Sequence, residues 1–313
     1  DPLPCVELRP VAGLQTNGTD SMTSRMSFPL EHAEFQMVRV FPDGPNGGNP
    51  APIGLGVDGM SGEDLRAVAV KYGHECGFVM ATTRQDADFR MRYFVPNHEM
   101  EMCGHATVGA LWLMRLRGYL APGSYTIETL SGLVEAEVPE AKDITISQPQ
   151  GSTAVLTREQ SAEVLKVLGL EETDLAAAEI LNASTSRVKT LVPVRSVARL
   201  HEIHPDFDRM AAVCSAIDST GLYPFAVGNA GEFHARQFPR GSGYAEDAAT
   251  GIAASALSYG LLHYNLARPR SEVTVRQGEA MGCPSRIQVR LEEKGCRLSG
   301  SCILDHSLTV VPA

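Results

Sequence analysis

The chain has 313 residues, 43% of them hydrophobic, and a formal charge of −10 at pH 7. That length is enough to bury a sizeable core and divides into about two domains. The acidic balance and the lack of any Lys/Arg-rich run exclude nucleic acid and an anionic membrane surface as the main partner, which leaves a small molecule as the expected ligand.

Residues 1–34 mix Pro, Thr, Asn, Gly and Ser without an apolar core segment and read as a loosely ordered leader, in which the sequon Asn17-Gly18-Thr19 is a chance match. They do not form a secretory signal, and no stretch reaches the roughly 18 apolar residues of a membrane span. From there FQMVRVF alternates as a strand and PDGPNGGNPAP reads as loop. SGEDLRAVAVKYG opens on a Ser61-x-x-Asp64 cap, places Leu65, Val68, Ala69 and Tyr72 on one helical face and stops at Gly73. GFVMAT, DFRMRYFV, SYTIETLSG, LVEAEVPE and DITISQP follow as short strands broken at Gly and Pro, the pattern of a curled antiparallel sheet and not of alternating βαβ units.

The pattern resets near Gly151. Thr157-x-x-Gln160 caps a helix through Leu168, a second helix is expected from Pro205 to Ala216, and LYPFAV, FHARQF, VTVRQG, RIQVRL, CRLSG and SLTVVP read as strands. The expected fold is therefore α+β, with two similar domains at 35–150 and 151–313 and the last strand free to return to the first domain. A repeat supports the division. Arg92-Tyr93-Phe94-Val95-Pro96 leads through a polar loop to Gly104-His105-Ala106-Thr107 and an apolar helix, and Arg236-Gln237-Phe238-Pro239 leads likewise to Asp247-Ala248-Ala249-Thr250-Gly251 and another.

Each of these loop-to-helix junctions presents unpaired N–H groups and a positive dipole end, so two facing each other make an anion site. The glycines at 104 and 251 serve either close approach of a ligand or tight packing of helix on sheet. His105 and Asp247 are the titratable residues at the junctions. Glu75, between a helix end and an apolar strand, is either an exposed helix-exit residue or a partly desolvated carboxylate whose pKa rises toward neutrality. The seven cysteines (Cys5, Cys76, Cys103, Cys214, Cys283, Cys296, Cys302) form no C-x-x-C pair, so reduced thiols in a cytoplasmic protein are expected. His98, Glu101 and His105 lack metal-ligand spacing and no metal is expected; Gly241-Ser242-Gly243 lacks the context of a dinucleotide site.

Taken in order, Gly48-Asn49-Pro50, the Glu75 segment, CGHAT (103–107), EDAATG (246–251) and VRQGEAMGCPSRI (275–287) resemble the PhzF-like family of phenazine-biosynthesis isomerases, on the diaminopimelate-epimerase fold. The resemblance implies two domains, each a sheet wrapped around a central helix, with the active site in the cleft between them. It further implies a homodimer and cofactor-free proton transfer at carbon of a small carboxylate-bearing substrate. On that pattern Glu75 is the general acid/base, and His105 and Asp247 position and polarise the substrate. Asn49, Gly104, Thr250, Gly251, Gln277 and Gly278 line the pocket. Ala248 replaces the usual proline and Ile252 stands where a hydroxyl is usual, which argues against a phenazine precursor as substrate. The related racemases use a cysteine from each half. Cys103 matches the first and nothing matches the second, so an epimerase pairing Cys103 with a carboxylate, or a non-catalytic binding protein, stands as the alternative.

Overall fold

The computed structural model describes residues 32–141, 143–306 and 310. The first half contributes β1 (Glu34–Val40), β2 (Asn49–Leu55), α1 (Gly62–Tyr72), β3 (Cys76–Met80), β4 (Phe89–Phe94), β5 (Glu99–Met100), α2 (Gly104–Leu116), β6 (Gly123–Thr129), β7 (Gly132–Val138) and β8 (Ile144–Gln148). The second contributes β9 (Ser152–Val155), α3 (Arg158–Leu168), β10 (Leu181–Ser184), β11 (Val188–Pro193), α4 (Val197–His201), α5 (Phe207–Ala216), β12 (Gly221–Val227), β13 (Phe233–Ala235), β14 (Phe238–Pro239), α6 (Gly251–His263), β15 (Glu272–Gln277), β16 (Ser285–Leu291), β17 (Cys296–Gly300) and β18 (Cys302–Leu304).

Strand pairing repeats the duplication seen in the sequence. The first sheet runs β8, β7, β6, β4, β3, β2, β1, β18, antiparallel except at β6–β4 and β3–β2. The second runs β17, β16, β15, β13, β12, β11, β10, β9, and its parallel pairs fall at the same two places, β15–β13 and β12–β11. β18, from the end of the chain, completes the first sheet, while β8 and β17 pair with Ile146 opposite Leu298 and join the two. These are two similar α+β domains.

Each sheet curls around one helix. α2 and α6 are apolar on all sides, as a helix enclosed by a sheet must be, and nearly every residue of both is buried. The two serine hydroxyls this encloses in α6 are bonded within the helix: Ser255 Oγ donates to Gly251 O and Ser258 Oγ to Ser255 O. The outer faces are covered by α1 on the first sheet and by α3 to α5 on the second, each over its own apolar cluster. The helices α1 and α3 begin with the expected capping boxes at Ser61/Asp64 and Thr157/Gln160 and end on left-handed glycines.

The loops that lead into α2 and α6 are braced in the same way. Arg92 holds Glu99 through two hydrogen bonds of 2.7 and 2.8 Å with its guanidinium 5.1 Å from the Phe94 ring. Arg236 holds Glu246 through two of 2.8 Å and lies 4.8 Å from Phe238. Each glutamate stands four residues before the N-cap of its helix, Cys103 or Thr250.

Several elements depart from the expectation. Asn49–Pro52 belong to β2 and not to a loop: Pro50 and Pro52 face β1 alone, since β3 pairs only from Ile53 on, and a strand tolerates prolines where one edge is unpaired. β9, β10 and β11 were not anticipated because their four to six residues carry Ser, Asn and Pro. FHARQF is interrupted, and the helix expected from Pro205 begins at Phe207 behind Asp206. Residues 1–31 and the strand expected at SLTVVP lie outside the described residues, except for Val310. The six described cysteines are unpaired. Among the described residues no helix is long and apolar enough to cross a membrane.

The two central helices meet end to end at Leu298. A Cβ on Gly104 would stand 2.8 Å from Leu298 Cδ2, and one on Gly251 2.4 Å from the same atom. Tight packing is thus what requires both glycines. Gly251→Ala is expected to lower stability by about 1–3 kcal/mol through overpacking, measured by urea unfolding. In a Leu298→Ala background the same change should be neutral or stabilising; equal losses in both backgrounds would show that Leu298 is not the obstacle.

Candidate active site

Gly73 ends α1 in the left-handed region, φ 66°, and the chain turns at once into the buried strand β3. Glu75 occupies that turn, and its side chain is 11% exposed. Oε2 lies 3.0 Å from Cys103 Sγ and 3.2 Å from His105 Nδ1, and Oε1 accepts the Tyr244 hydroxyl at 2.9 Å. Cys103 and His105 belong to the first turn of α2, while Tyr244 comes from the loop before α6. The carboxylate therefore ties the two halves together.

Asp247 stands opposite, three residues before the N-cap of α6. Its Oδ1 accepts from Asn49 Nδ2 at 2.6 Å and its Oδ2 from the Thr250 hydroxyl. Asn49 also donates to Ala249 O at 2.8 Å. Gln277 Nε2 donates to Asp247 O at 2.7 Å, and its Oε1 accepts from Tyr223 at 2.8 Å. Gly278, at φ 79°, passes so close to this loop that a Cβ would fall 2.6 Å from Ala248 O. Neither central helix closes its first turn with a side chain from its N-cap, which leaves N–H donors there for a ligand.

A cavity of about 20 Å³, room for roughly one water, lies where the helices begin. Glu75, Cys103, Gly104, His105, Asp247, Thr250 and Gly251 line it. Asn49, Gln277 and Gly278 do not. Asn49 lines a neighbouring cleft of about 410 Å³ that shares Glu75, Tyr244 and Asp247 with the cavity, and Gln277 and Gly278 hold the Asp247 loop from behind. Lys189, Gln237 and Tyr244 also line the cavity and were not singled out in the sequence. A lysine inside the apolar run VKTLVP is the one local signal that marks any of them.

The two carboxylates are driven apart. Burial pushes Glu75 upward, but the hydrogen bond and charge of His105 outweigh it and, with Cys103 and Tyr244, hold Glu75 down at about 2. The expectation that desolvation would raise Glu75 is corrected on this point. It is Asp247 that is raised, to about 6, by burial and then by the charge of Glu75, against His105, Thr250 and Asn49. His105 is pulled down by burial and brought above its ordinary value by the hydrogen bond and charge of Glu75. Its Nε2 is buried without a partner. Burial, followed by the charge of Glu75, pushes the Cys103 thiol well above its ordinary value despite its place at a helix start.

The donor atoms of Glu75, Cys103 and His105 lie within 4.8 Å of one another, as do those of His201, His234 and Glu279, so either set could reach one cation. In the first set the thiol is held protonated, which disfavours a thiolate ligand.

Residues 38–304 match the model of the PhzC-PhzF family, phenazine biosynthesis-like protein. The chain is 28% identical to the Bacillus subtilis (strain 168) protein named "Uncharacterized isomerase YfhB", over 85% of this chain and 93% of that one. It is also 28% identical to the trans-2,3-dihydro-3-hydroxyanthranilate isomerase of Pseudomonas aeruginosa, over 85% and 92%. The crystal structure of a PhzF-family phenazine biosynthesis protein from Bacillus anthracis superposes with a TM-score of 0.76 at 29% identity, covering 86% of this chain and 96% of that one. A match that spans both sheets and both helix starts makes the chain a member of the PhzC-PhzF family, and an isomerase.

Proposed function

We propose that the chain moves a proton between two carbons of a small carboxylate-bearing metabolite without a cofactor, with Glu75 as general acid/base. In this reading 35–150, completed by the returning β18, and the rest of 151–313 are the two domains of a cytoplasmic homodimer. The observation that carries the proposal is the pair of buried carboxylates with opposed shifts, facing one cavity at two helix N-termini. Such a pair divides the work of base and acid. Glu75, ionised, abstracts the proton; Asp247, raised toward neutrality, donates to the oxygen on which charge develops, and the helix N–H groups stabilise that charge.

Glu75 at rest is a weak base because three donors hold its charge. A substrate that displaces Tyr244 and brings its own negative charge removes one donor and raises the carboxylate, so basicity appears when the substrate is in place. His105 keeps the carboxylate oriented. The second reading, a thiol acid/base, is favoured by the 3.0 Å contact between Cys103 and Glu75. The raised thiol speaks against it.

In deuterated water, candidate substrates are expected to acquire solvent deuterium at carbon, and Glu75→Gln to slow that incorporation by about 10²–10⁴-fold. Cys103→Ala should stay within about threefold of the parent; a loss matching that of Glu75→Gln would favour the thiol mechanism instead.

The raised Asp247 also makes a stability prediction. Its folded state binds the proton more tightly than the unfolded chain, so it contributes a penalty that is absent below pH 3.8, grows as pH rises toward 6 and is complete above. A shift of that size corresponds to about 3 kcal/mol. Asp247→Asn should therefore gain about 1–3 kcal/mol at pH 8, after some loss of hydrogen-bond strength, and gain almost nothing near pH 4. Urea unfolding at the two pH values checks this, and a gain independent of pH would refute the assignment.

A further inference from the structure

One wall of the cavity takes no part in holding either carboxylate. Lys189 lies on β11, an inner strand paired with β10 and β12. It shares a strand face with Leu191, whose side chain lies against α6 at Gly260, so Lys189 is turned inward and lines the cavity. It is 4% exposed. Among the described residues no carboxylate lies within the 4.0 Å of an ion pair with its ammonium, and its side chain makes no hydrogen bond.

Its charged neighbours are accounted for. Glu75 is committed to His105, Cys103 and Tyr244, Asp247 to Asn49 and Thr250, and Arg187 lies 3.8 Å from Glu101. Burial and then the charge of Arg187 push the Lys189 ammonium down to about 7, while Glu75 and Asp247 act from beyond contact distance to hold it up.

Gln237 lines the same cavity. It is 1% exposed, and both its Nε2 and its Oε1 are buried without a partner. Native interiors seldom leave such groups unpaired. An enclosed cation and an enclosed amide, both without partners and on one cavity, describe a place prepared for an anion with hydrogen-bonding oxygens.

We propose that Lys189 and Gln237 form a subsite for a second carboxylate, which makes the ligand of this cavity a small dicarboxylate. One end meets the helix starts beside Glu75, and the other meets the Lys189 ammonium and the Gln237 amide. Which end reacts rests on the isomerase reading; the binding of two acidic groups does not. The gap of more than 4.0 Å between Lys189 and each cavity carboxylate is where the substrate backbone spans, once Tyr244 has withdrawn.

The test is calorimetric titration of the full chain at pH 7 with malonate, succinate and glutarate, each against the monocarboxylate of equal carbon number. The parent is expected to bind at least one dicarboxylate about tenfold tighter than its monocarboxylate counterpart. Lys189→Met should abolish the preference, Gln237→Leu should reduce it, and Lys189→Arg should keep part of it. Removal of an unpaired buried cation should leave the unfolding midpoint of Lys189→Met at or above the parent's, which separates lost recognition from lost structure. Equal affinity for the two ligand classes in the parent, no binding of any dicarboxylate, or a preference that survives Lys189→Met would overturn the proposal. The Glu75 reading fails on a different observation, namely deuterium incorporation that Glu75→Gln does not slow.

Discussion

The site is governed by one electrostatic constraint: two carboxylates, Glu75 and Asp247, face a single buried cavity, and the charge of the first makes that of the second costly. It solves this with unequal partners. Glu75 receives an imidazole, a thiol and a phenol, and the first of these carries a positive charge when protonated. Asp247 receives an amide and a hydroxyl, both neutral. The charged partner decides which carboxylate gives up its proton more readily, and burial works against the other.

That inequality is laid on a symmetric frame. The two sheets have the same order of parallel and antiparallel pairs, their loops are braced by equivalent Arg–Glu pairs, and their central helices start against the same leucine. The positions that carry chemistry differ. Cys103 caps α2 where Thr250 caps α6, and His105 is answered by Ile252. Glu75 stands immediately before β3, as Thr220 stands immediately before β12. A two-thiol reaction, with equal groups on the two faces of the substrate, has no basis in such a frame. The proposed one-sided collection and return of a proton by Glu75 is compatible with it.

The parts of this arrangement that were legible in the sequence are those written in short windows. Ser61/Asp64 and Thr157/Gln160 mark their helices by local hydrogen bonds, and the Arg–Phe–Pro segments announce the repeat because both lead through a polar loop to an apolar helix. What escaped depends on distant partners. Pro50 and Pro52 read as loop until β1 is seen to supply the only neighbour they need. Glu75 is legible as a desolvated carboxylate at a helix exit, but the direction of its shift is not, because desolvation is visible from an apolar flank while His105, Cys103 and Tyr244 converge on it from 28 to 169 residues away. Gln237 comes to the cavity from a loop position that no local pattern reveals, and Lys189 is hinted at only by its place inside an apolar run.

Tyr244 links the chemistry to the shape of the site. It borders both the small cavity and the larger cleft beside it, and its hydroxyl is one of the three donors on Glu75. The space behind it, about 20 Å³, is too small for any metabolite. In the proposed mechanism a substrate that enters past Tyr244 breaks the Tyr244–Glu75 hydrogen bond and so strips a donor from the carboxylate. A buried carboxylate that loses a donor and gains an anionic neighbour becomes a stronger base. On the proposed role of Glu75, access and activation would then be a single event at one side chain, with Tyr244 both quenching the base and covering the cavity.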